Sequence, residues 1–473
     1  MYQIDYAKPV NVHFIGIGGI SMSGLAEILM SKGFKVSGSD NKESDITETL
    51  KSLGAVIYIG QKAENITDDV ELVVYTAAIH EDNLEFAEVK RRGIPMLTRA
   101  ELLGQLMKNY ENPVAVAGTH GKTTTTSMLS MMILAADLDP TVSVGGMLKE
   151  IGGNIRIGDS GYFVAEACEY TNSFLSFFPK YDIILNIEED HMDFFRDIDD
   201  IRSSFKRFAG LLPKDGALII NADIDNVSYI TEGLPCKVVT YSVSGKDDPD
   251  LWAENISYNE NACASFSVIR AGERLTDISL NVPGEHNISN ALAAIAAALE
   301  LNIGISDIEK GLKTFGGTDR RFQYRGEYKG IKIIDDYAHH PTEIRATLKA
   351  ALNYPHKTLW TVFQPHTYTR TKAFFDDFAD VLSLSDRVIL ADIYAAREKD
   401  DLGMSSKLLS DAIVERGTKS CYLASFSEIE DFIDKNCSPG DVVITMGAGD
   451  IVKVADDLTD SSKQTTGTNV CTD

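Results

Sequence analysis

The feature that most constrains the fold is a glycine-rich loop between an apolar run and a helix-forming segment. Val114–Ala117 is short and apolar, Gly118–Gly121 forms a turn, and Lys122–Ala136 has the composition of a helix. A strand, a glycine loop, Lys-Thr and a helix make the phosphate cradle of a P-loop, where backbone N–H groups and the positive end of the helix face phosphate oxygens. In such a loop Lys122 reaches the β- and γ-phosphates, and the Thr123 hydroxyl contacts Mg²⁺.

The loop departs from the longer P-loop pattern. G-x-x-x-x-G-K-[ST] requires glycine at position 116, where this chain has Val116. A chance Lys-Thr after a glycine turn is the alternative, but the apolar run and the helix-forming segment are the context that the motif requires. We therefore predict an ATP-binding loop formed by Gly118, Thr119, His120, Gly121, Lys122, Thr123 and Thr124.

Charge and composition exclude several classes of partner. Lys and Arg total 45 and Asp and Glu total 70, which gives a net charge of −25. This excess argues against a general nucleic-acid or anionic-membrane binder, so local clusters must hold any anionic ligand. The N-terminus has no apolar signal segment, no stretch approaches a membrane span, and the six Cys show no C-x-x-C spacing. We therefore expect a cytoplasmic protein with reduced thiols and no membrane insertion.

The first 108 residues alternate strand-like and helix-like segments. One strand-like run ends in Gly16, Gly18 and Gly19, and the next ends in Ser39 and Asp40. Asp40 follows Gly16 by 24 positions, which is close to the ~20 expected for the acid that contacts ribose in a βαβ nucleotide unit. The third glycine of the dinucleotide pattern is missing, so NAD binding does not follow. A helix cap or a turn is the alternative role for Asp40.

Residues 109–321 carry polar side chains at the ends of strand-like runs. Glu166 and Glu169 follow one run, and His191 lies just beyond the next. Because parallel strands end at one edge of a sheet, these residues can share a crevice with the glycine loop and hold a metal ion. Asn287 and Asn290 lie three apart at the start of an alanine-rich helix and can read a base edge. Surface acids, a capping or core histidine, and ordinary helix caps are the alternatives.

Residues 322–456 again predict strands that end in polar loops, with helices between them. Just before them, the paired arginines at 320 and 321 lie beside glycines and suit a phosphate clamp. Of the nine His, six lie in polar clusters at strand ends or helix starts, namely His120, His191, His286, His339, His340 and His366. This distribution predicts one composite site between domains. The polar residues 457–473 are predicted to be a disordered tail.

Eight motifs, in this order along the chain, resemble those of the Mur ligase family. They are HFIGIGGISMSG (13–24), GTHGKTTT (118–125), NIEEDHMD (186–193), GEHNISNA (284–291), DRRF (319–322), DDYAHHPTE (335–343), FQPHTYTRT (363–371) and GAGD (447–450). The resemblance implies an α/β protein of three domains. Residues 1–108 would be a Rossmann-like domain for a UDP-sugar, 109–321 a central P-loop ATPase domain, and 322–456 a C-terminal Rossmann-like domain that binds an amino acid.

The resemblance also implies an activity. It is that of an ATP-dependent ligase in peptidoglycan precursor synthesis, which joins L-alanine to the lactyl carboxylate of UDP-N-acetylmuramate through an acyl phosphate and releases ADP and phosphate. ATP and Mg²⁺ would be the cofactors. Because the substrates would bind to three domains, hinge closure is expected.

The matching positions imply roles for individual residues. The implied catalytic residues are Lys122, His191, Arg321, His339 and His366. Beyond the glycine loop, the implied ATP contacts are Asn287 and Asn290 at the adenine, Asp336 at the ribose, and Arg321. The implied contacts to the UDP-sugar and the amino acid are Gly16, Gly18, Gly19, Ser39, Asp40, Asn154, Tyr337, His339, His366, Tyr368 and Arg370. The implied metal ligands are Thr123, Glu166, Glu169 and His191.

Arg370 also has a physical argument behind its role. An amino-acid carboxylate in a chain this acidic needs a local cation, and the planar fork of Arg pairs with it in a bidentate manner. Capping or pairing on the following helix is the alternative. Two motifs differ from their common family forms: Cys168 and Thr171 stand where EADESDASFL has acids, and Thr367 stands where Arg often follows FQPH.

Three other functions are consistent with parts of the sequence. A related ligase would join the same nucleotide sugar to a whole peptide, but GIGG in the first loop favours the enzyme for a single amino acid. A nicotinamide oxidoreductase would explain nothing after residue 108. A non-enzymatic, ATP-dependent binding module would not need the histidine clusters.

Overall fold

The computed structural model describes residues 2–76, 78–246, 248–396, 398–400 and 402–460. The described residues of Met1–Trp252 and Asn290–Gly311 form one compact unit, and those of Ala253–Ser289 and Leu312–Asp473 form another. The strands among them belong to three sheets with helices between the strands. The predicted α/β class with three sheet-containing domains is therefore confirmed, and the chain positions predicted for the domain boundaries stay predictions.

The described residues before position 109 form a parallel sheet. Its elements are β1 (Asn11–Ile15), α1 (Ile20–Ser31), β2 (Lys35–Asp40), α2 (Asp45–Ser52), β3 (Val56–Ile59), β4 (Leu72–Tyr75), α3 (Leu84–Arg92), β5 (Met96–Thr98) and α4 (Arg99–Met107). The strand order is β3-β2-β1-β4-β5, with every neighbouring pair parallel. Because the order reverses at β1, the carboxyl ends of β1 and β4 flank the crevice where such sheets bind ligands.

A second sheet follows in the same unit. Its elements are β6 (Asn112–Ala117), α5 (Lys122–Ala135), β7 (Thr141–Leu148), β8 (Gly153–Arg156), β9 (Tyr162–Glu166), β10 (Tyr181–Ile184), α6 (Ile198–Ala209), β11 (Ala217–Asn221), α7 (Val227–Thr231) and β12 (Lys237–Ser242). The strand order within this unit is β12-β11-β10-β6-β9-β7-β8. The apolar run of β6 is fully buried, as expected of a central strand covered on both faces.

The rest of the chain supplies a hairpin and a third sheet. The elements are β13 (Leu251–Tyr258), β14 (Cys263–Arg270), β15 (Glu273–Pro283), α8 (His286–Glu300), α9 (Ile305–Thr314), β16 (Gln323–Tyr328), β17 (Ile331–Asp336), α10 (Pro341–Leu352), β18 (Leu359–Phe363), α11 (Tyr368–Ala373), α12 (Phe375–Leu382), β19 (Arg387–Leu390), α13 (Ser406–Glu415), β20 (Lys419–Tyr422), α14 (Phe426–Asn436), β21 (Val442–Met446) and α15 (Val452–Thr459). β14 and β15 pair antiparallel. The third sheet has the order β16-β17-β21-β18-β19-β20 and is parallel except at its β16 edge.

The helical end of the described chain corrects one expectation. Residues 457–459, predicted to open a disordered tail, belong to α15. The helix continues because Val454, Ala455 and Leu458 are spaced along one face and are buried. Residues 461–473 of the predicted tail lie outside the described residues. Within the described ranges, no helix is both long enough and apolar enough to cross a membrane.

Two glycines allow the sheets of the first unit to pack closely. A Cβ on Gly24 of α1 would lie 2.1 Å from Cγ1 of Ile155 on β8. A Cβ on Gly104 of α4 would lie 2.0 Å from the carbonyl oxygen of Ser176. Since real Cβ atoms do not come this close, both helices need glycine at these contacts.

A buried carboxyl lies in the middle of the second sheet. Asp182 on β10 is completely buried, and neither of its carboxylate oxygens has a hydrogen-bond partner among the described residues. Burial raises the pKa of Asp182 well above its ordinary value. An unpaired carboxylate in an apolar interior is costly, so the folded chain favours the protonated form.

We therefore predict that Asp182→Asn stabilises the protein increasingly as the pH rises. In the unfolded chain this carboxyl loses its proton near pH ~3.9, whereas in the folded chain it keeps the proton to a higher pH. The free energy of unfolding of the wild type therefore falls as the pH rises from the unfolded-state pKa to the raised folded-state pKa. Asn carries no such linkage. Thermal unfolding from pH 4.5 to 8 should show a gap in Tm that widens with pH, and parallel curves would contradict the assignment. Asp215→Asn is the matched control, because the Asp215 side chain is 78% exposed.

Candidate active site

The glycine loop between β6 and α5 has the backbone conformation of a phosphate cradle. Gly118 and Gly121 have φ of +147° and +83°, which residues with side chains rarely adopt. A Cβ on Gly121 would lie 2.4 Å from Oδ1 of Asn290, and one on Gly118 would lie 2.9 Å from Cβ of Leu185. Gly121 is the N-cap of α5, so the amino end of that helix opens on the loop. The predicted strand, loop and helix are confirmed.

Asn186, which follows β10, fixes the loop through its side chain. Its Oδ1 accepts a hydrogen bond from the His120 N–H at 2.7 Å, and its Nδ2 donates to the His120 carbonyl at 3.1 Å. The N–H of Thr119 donates to the Asn186 carbonyl at 3.2 Å. One amide therefore satisfies both backbone groups of a loop residue. No role was predicted for Asn186, although an amide in an apolar run is a signal that could have shown it.

Lys122 and Glu169 form the central ion pair of this loop. The Lys122 ammonium lies 3.0 Å from Oε2 of Glu169, donates to the Thr119 carbonyl at 3.1 Å, and also donates to the Gly118 carbonyl. Glu169 is only 2% exposed. Burial is the largest single effect and lowers the pKa of Lys122, but Glu169, Cys168 and Glu166 together outweigh it, and the net pKa is raised. Lys122 is therefore a cation at neutral pH.

His191 lies beside the same carboxylate. Its Nε2 is 3.7 Å from Oε1 of Glu169, and the Tyr170 ring stacks on it with centroids 4.5 Å apart. His191 has φ of +55°, and Thr171 and Asn172 have φ of +53° and +58°. A cluster of left-handed residues other than glycine costs energy and is typical of functional sites.

The four predicted metal ligands offer oxygen and nitrogen donor atoms. The Thr123 side chain, at the first turn of α5, is almost fully buried, and Glu169 and His191 are in contact. Glu166 ends β9, where its Oε1 accepts from the Gly145 N–H at 2.6 Å. Carboxylate and hydroxyl oxygens with one imidazole nitrogen fit a divalent cation such as Mg²⁺. Metal binding by these residues stays a prediction.

A cavity of about 490 Å³ lies at the carboxyl edge of the first sheet. Gly16, Gly19 and Asp40 line it, together with polar side chains that include Gln61 and Asn83. The N–H of Gly18 donates to Oδ2 of Asp40 at 3.0 Å, and a Cβ on Gly18 would lie 2.7 Å from the same oxygen. Four of the predicted nucleotide-sugar residues are therefore together at the predicted place.

Ser39 and Asn154 have different surroundings. The Ser39 side chain is fully buried and its hydroxyl donates to Glu85 at 2.6 Å, while its carbonyl accepts from the N–H groups of Gly16 and Ile17. Its contact with the glycine loop is therefore through the backbone. Asn154 lies on the edge strand β8 and is partly exposed. Direct contact of either residue with substrate stays a prediction.

In the other unit, Asp336 ends β17 and holds two backbone groups. Its carboxylate accepts from the N–H groups of Phe322 at 2.8 Å and Ala338 at 2.7 Å. Burial raises the pKa of Asp336 to about 6. The loop of Arg321 is thereby tied to the loop of His339, and the predicted ribose contact of Asp336 stays a prediction.

A series of ring contacts joins the other predicted residues of this unit. The Arg321 guanidinium lies 5.3 Å from the centre of the Tyr337 ring, and the Tyr337 and His339 rings are 5.5 Å apart. His339 and His366 are 5.9 Å apart, and Nη1 of Arg370 lies 3.2 Å from Nδ1 of His366. Tyr368 begins α11, two residues before Arg370. The structure thus brings together the residues that were predicted from three separate motifs.

Two further residues of this cluster were not predicted. Glu343 on α10 lies 3.3 Å from Nδ1 of His339 and 3.6 Å from Nη1 of Arg321, so one carboxylate holds both. Tyr394 stacks on His366 with ring centroids 5.6 Å apart. Glu343 falls inside the DDYAHHPTE motif, four residues after His339, a spacing that places both on one side of a helix start.

The two asparagines of α8 contact the protein itself. Nδ2 of Asn287 donates to the Pro283 carbonyl at 2.8 Å. Oδ1 of Asn290 accepts from the Thr125 hydroxyl at 3.3 Å. Asn290 therefore also positions α5, and adenine recognition by either amide stays a prediction.

Successive parts of the chain match models of one protein family. Three family models match in order: the Mur ligase family catalytic domain at residues 11–111, the Mur ligase middle domain at 116–298, and the Mur ligase, glutamate ligase domain at 320–449. A UDP-N-acetylmuramate–L-alanine ligase of Agathobacter rectalis is 60% identical over 458 residues, which cover 97% of this chain and 99% of that protein.

Solved structures give the same picture. The UDP-N-acetylmuramate–alanine ligase of Thermotoga maritima superposes with a TM-score of 0.79 at 30% identity, covering 96% of this chain and 99% of that one. A murein peptide ligase of Psychrobacter arcticus superposes with a TM-score of 0.69 at 25% identity, covering 98% of this chain and 100% of that one.

We predict that Lys122→Ala lowers phosphate release from ATP by roughly three decades, because groups that clamp the transferring phosphoryl contribute on that scale. The variant should also unfold at a lower temperature, because buried Glu169 loses its counter-ion. Combining it with Glu169→Gln should restore part of the Tm and none of the turnover. Near-normal phosphate release by Lys122→Ala would show that the loop does not serve ATP.

Proposed function

Since the chain belongs to the Mur ligase family, we propose that it is the ATP-dependent ligase that joins L-alanine to the lactyl carboxylate of UDP-N-acetylmuramate, in peptidoglycan precursor synthesis. ADP and phosphate are the other products. The observation that carries the proposal is the glycine loop in which Lys122 contacts buried Glu169, since this arrangement serves phosphoryl transfer. The choice of substrates is supported by the identity to the Agathobacter rectalis ligase.

The ligase that uses a whole peptide is the second candidate. It is supported by the superposition on the murein peptide ligase, at 25% identity. The relative that uses alanine is 60% identical over nearly the full length of both chains. The single amino acid is therefore the better supported acceptor.

The first step activates a carboxylate, which is a poor electrophile. A lactyl carboxylate oxygen attacks the γ-phosphorus of ATP, the bond from that phosphorus to the bridging oxygen breaks, and ADP leaves. The product is an acyl phosphate. Lys122, in the glycine loop, neutralises negative charge on the phosphoryl group that is transferred. The N–H groups at the start of α5 face the phosphates.

Thr123, Glu169, His191 and Glu166 are the residues that we propose hold Mg²⁺. When bound, the ion supplies charge neutralisation at the phosphate oxygens. Its carboxylate ligand Glu169 is fixed by Lys122 and lies against His191. The strained backbone at His191 and the stacked Tyr170 ring hold the imidazole at one orientation.

The second step forms the amide. The amine of alanine attacks the acyl carbon, the bond from that carbon to the phosphate oxygen breaks, and the proton lost by the amine balances on the departing phosphate. We propose that Arg370 pairs with the alanine carboxylate and that His366 orients Arg370, to which it lies within 3.2 Å. His339, held by Glu343 and by the Tyr337 carbonyl, lies beside them and would orient the amine.

Phosphate release measured over a matrix of substrates tests the proposed function. UDP-N-acetylmuramate, UDP-N-acetylglucosamine and UDP would each be combined with alanine, serine, glycine or a tripeptide. We expect sustained release only with UDP-N-acetylmuramate and a free amino acid, with alanine included. Release that needs the tripeptide would favour the second candidate, and release that needs neither cosubstrate would favour a nucleotide switch.

We predict that Arg370→Lys raises the KM for alanine at least tenfold, about 1.4 kcal/mol. Lys retains the charge but loses the planar fork that pairs with a carboxylate. The KM for ATP should change little, and Lys372→Ala, at an exposed position of α11, is the matched control. An unchanged KM for alanine with a raised KM for ATP would assign Arg370 to the nucleotide.

A further inference from the structure

A carboxylate with no exposed surface lies beneath the glycine-rich loop of the first sheet. Glu85 is at the second position of α3, and its side chain is completely buried. Its Oε2 accepts from the Ser39 hydroxyl at 2.6 Å, and its Oε1 accepts from Nδ2 of Asn65 at 2.5 Å. Nε2 of His13 lies 3.8 Å from Oε2. We call Glu85, Ser39, Asn65 and His13 the Glu85 network.

The network is costly to maintain, and both oxygens of its carboxylate accept a hydrogen bond. A buried carboxylate without partners would lose several kcal/mol of hydration. Here the Ser39 hydroxyl of β2 and the Asn65 amide from the turn before β4 donate to its two oxygens, and the amino end of α3 adds favourable dipole energy. His13 is itself held, with Nδ1 2.9 Å from the Ser37 hydroxyl. A purely apolar core would serve folding at lower cost, which points to a role in positioning.

Further hydrogen bonds connect Ser39 and Asn65 to the walls of the cavity of about 490 Å³ that Gly16 and Asp40 line. Ser39 accepts through its carbonyl from the N–H groups of Gly16 at 2.9 Å and Ile17 at 3.0 Å, which fixes the glycine loop. Asn65 donates to the Gly60 carbonyl at 2.9 Å, and the Gly60 N–H donates to the Asp40 carbonyl at 2.8 Å.

The start of α3 also reaches the cavity, through Asn83. Oδ1 of Asn83 caps the helix by accepting from the Glu85 N–H at 3.0 Å, and its Nδ2 donates to Oε1 of Gln61 at 2.6 Å. Asn83 and Gln61 both line the cavity, whereas Glu85 does not. Glu85 therefore lies behind three walls of the cavity and touches none of its contents.

We propose that Glu85 is a positioning residue for the UDP-sugar, acting through Ser39 and Asn65 on the loops that receive the nucleotide. The inference rests on the proposed function, because the occupant of the cavity is taken to be the uridine nucleotide. Pre-organised N–H groups cost nothing to order when the ligand binds, so loss of Glu85 weakens binding of the ground state and leaves the chemical step intact.

Steady-state kinetics of the full chain test this. Glu85→Ala should raise the KM for UDP-N-acetylmuramate at least tenfold, with kcat and the KM for ATP within about twofold of the wild type. The KM of Glu85→Gln for UDP-N-acetylmuramate should lie between those of the wild type and Glu85→Ala, because an amide can accept from Asn65 and donate to Ser39. Ser39→Ala should also raise this KM, and the double variant should be no worse than Glu85→Ala alone. Glu88→Ala, one turn along α3, is the matched control.

The outcomes separate the inference from the proposed function. Wild-type protein that fails to bind UDP-N-acetylmuramate in calorimetry would contradict the proposed function and this inference with it. Normal wild-type binding with an unchanged KM in Ser39→Ala and the Glu85 variants would overturn this inference alone. So would an equal loss in every kinetic parameter, which indicates general destabilisation. Additive effects of Ser39 and Glu85 would give Ser39 a direct contact with the ligand in place of the network. If Glu85→Ala does not fold, the Kd of Ser39→Ala and Glu85→Gln for UDP decides the matter.

Discussion

The ion pair of Lys122 and Glu169 is the interaction on which the rest of the site depends. A buried carboxylate and an ammonium lie 3.0 Å apart at the point where a central strand turns into a helix. Neither charge is stable there alone, so the fold must keep both in place. Gly118 and Gly121 adopt the positive φ that the turn requires. The Asn186 amide, after the neighbouring strand β10, fixes the loop. The pair places a cation in the loop that we propose binds ATP, in a protein whose net charge is −25.

The same design recurs in the first sheet and in the second unit. Buried carboxylates there hydrogen-bond to the loops that are predicted to bind ligands. Glu85 lies behind the glycine-rich loop of the first sheet, and Asp336 accepts from two backbone N–H groups that fix neighbouring loops. Glu343 holds His339 and Arg321 in the same way. A chain with an excess of acidic residues thus uses some of them, buried and hydrogen-bonded, as the framework of its binding loops.

Sequence reasoning succeeded where local chemistry decides the structure. Apolar runs followed by glycines predicted β1 and β6, and Lys-Thr at a helix start predicted the loop at Lys122. It could not find Glu85 or Tyr394, because their partners are distant in sequence and ordinary in type, and it left unused the signal of the Asn186 amide in an apolar run. It also assigned residues 457–459 to a disordered tail, because the polar residues 456 and 457 conceal the buried Leu458 of α15. The grouping of His339, His366 and Arg370 was predictable only through motifs, since no periodicity relates them.

In the proposed mechanism the γ-phosphoryl of ATP is transferred at the glycine loop to the sugar carboxylate before the amide forms. Oxygen tracing tests it directly. UDP-N-acetylmuramate carrying ¹⁸O in both oxygens of its lactyl carboxylate would be turned over with unlabelled ATP and alanine, and the released phosphate would be analysed by mass. Passage through an acyl phosphate predicts one ¹⁸O atom in each phosphate and one retained in the amide. Phosphate free of ¹⁸O, with amide formed, would contradict the mechanism.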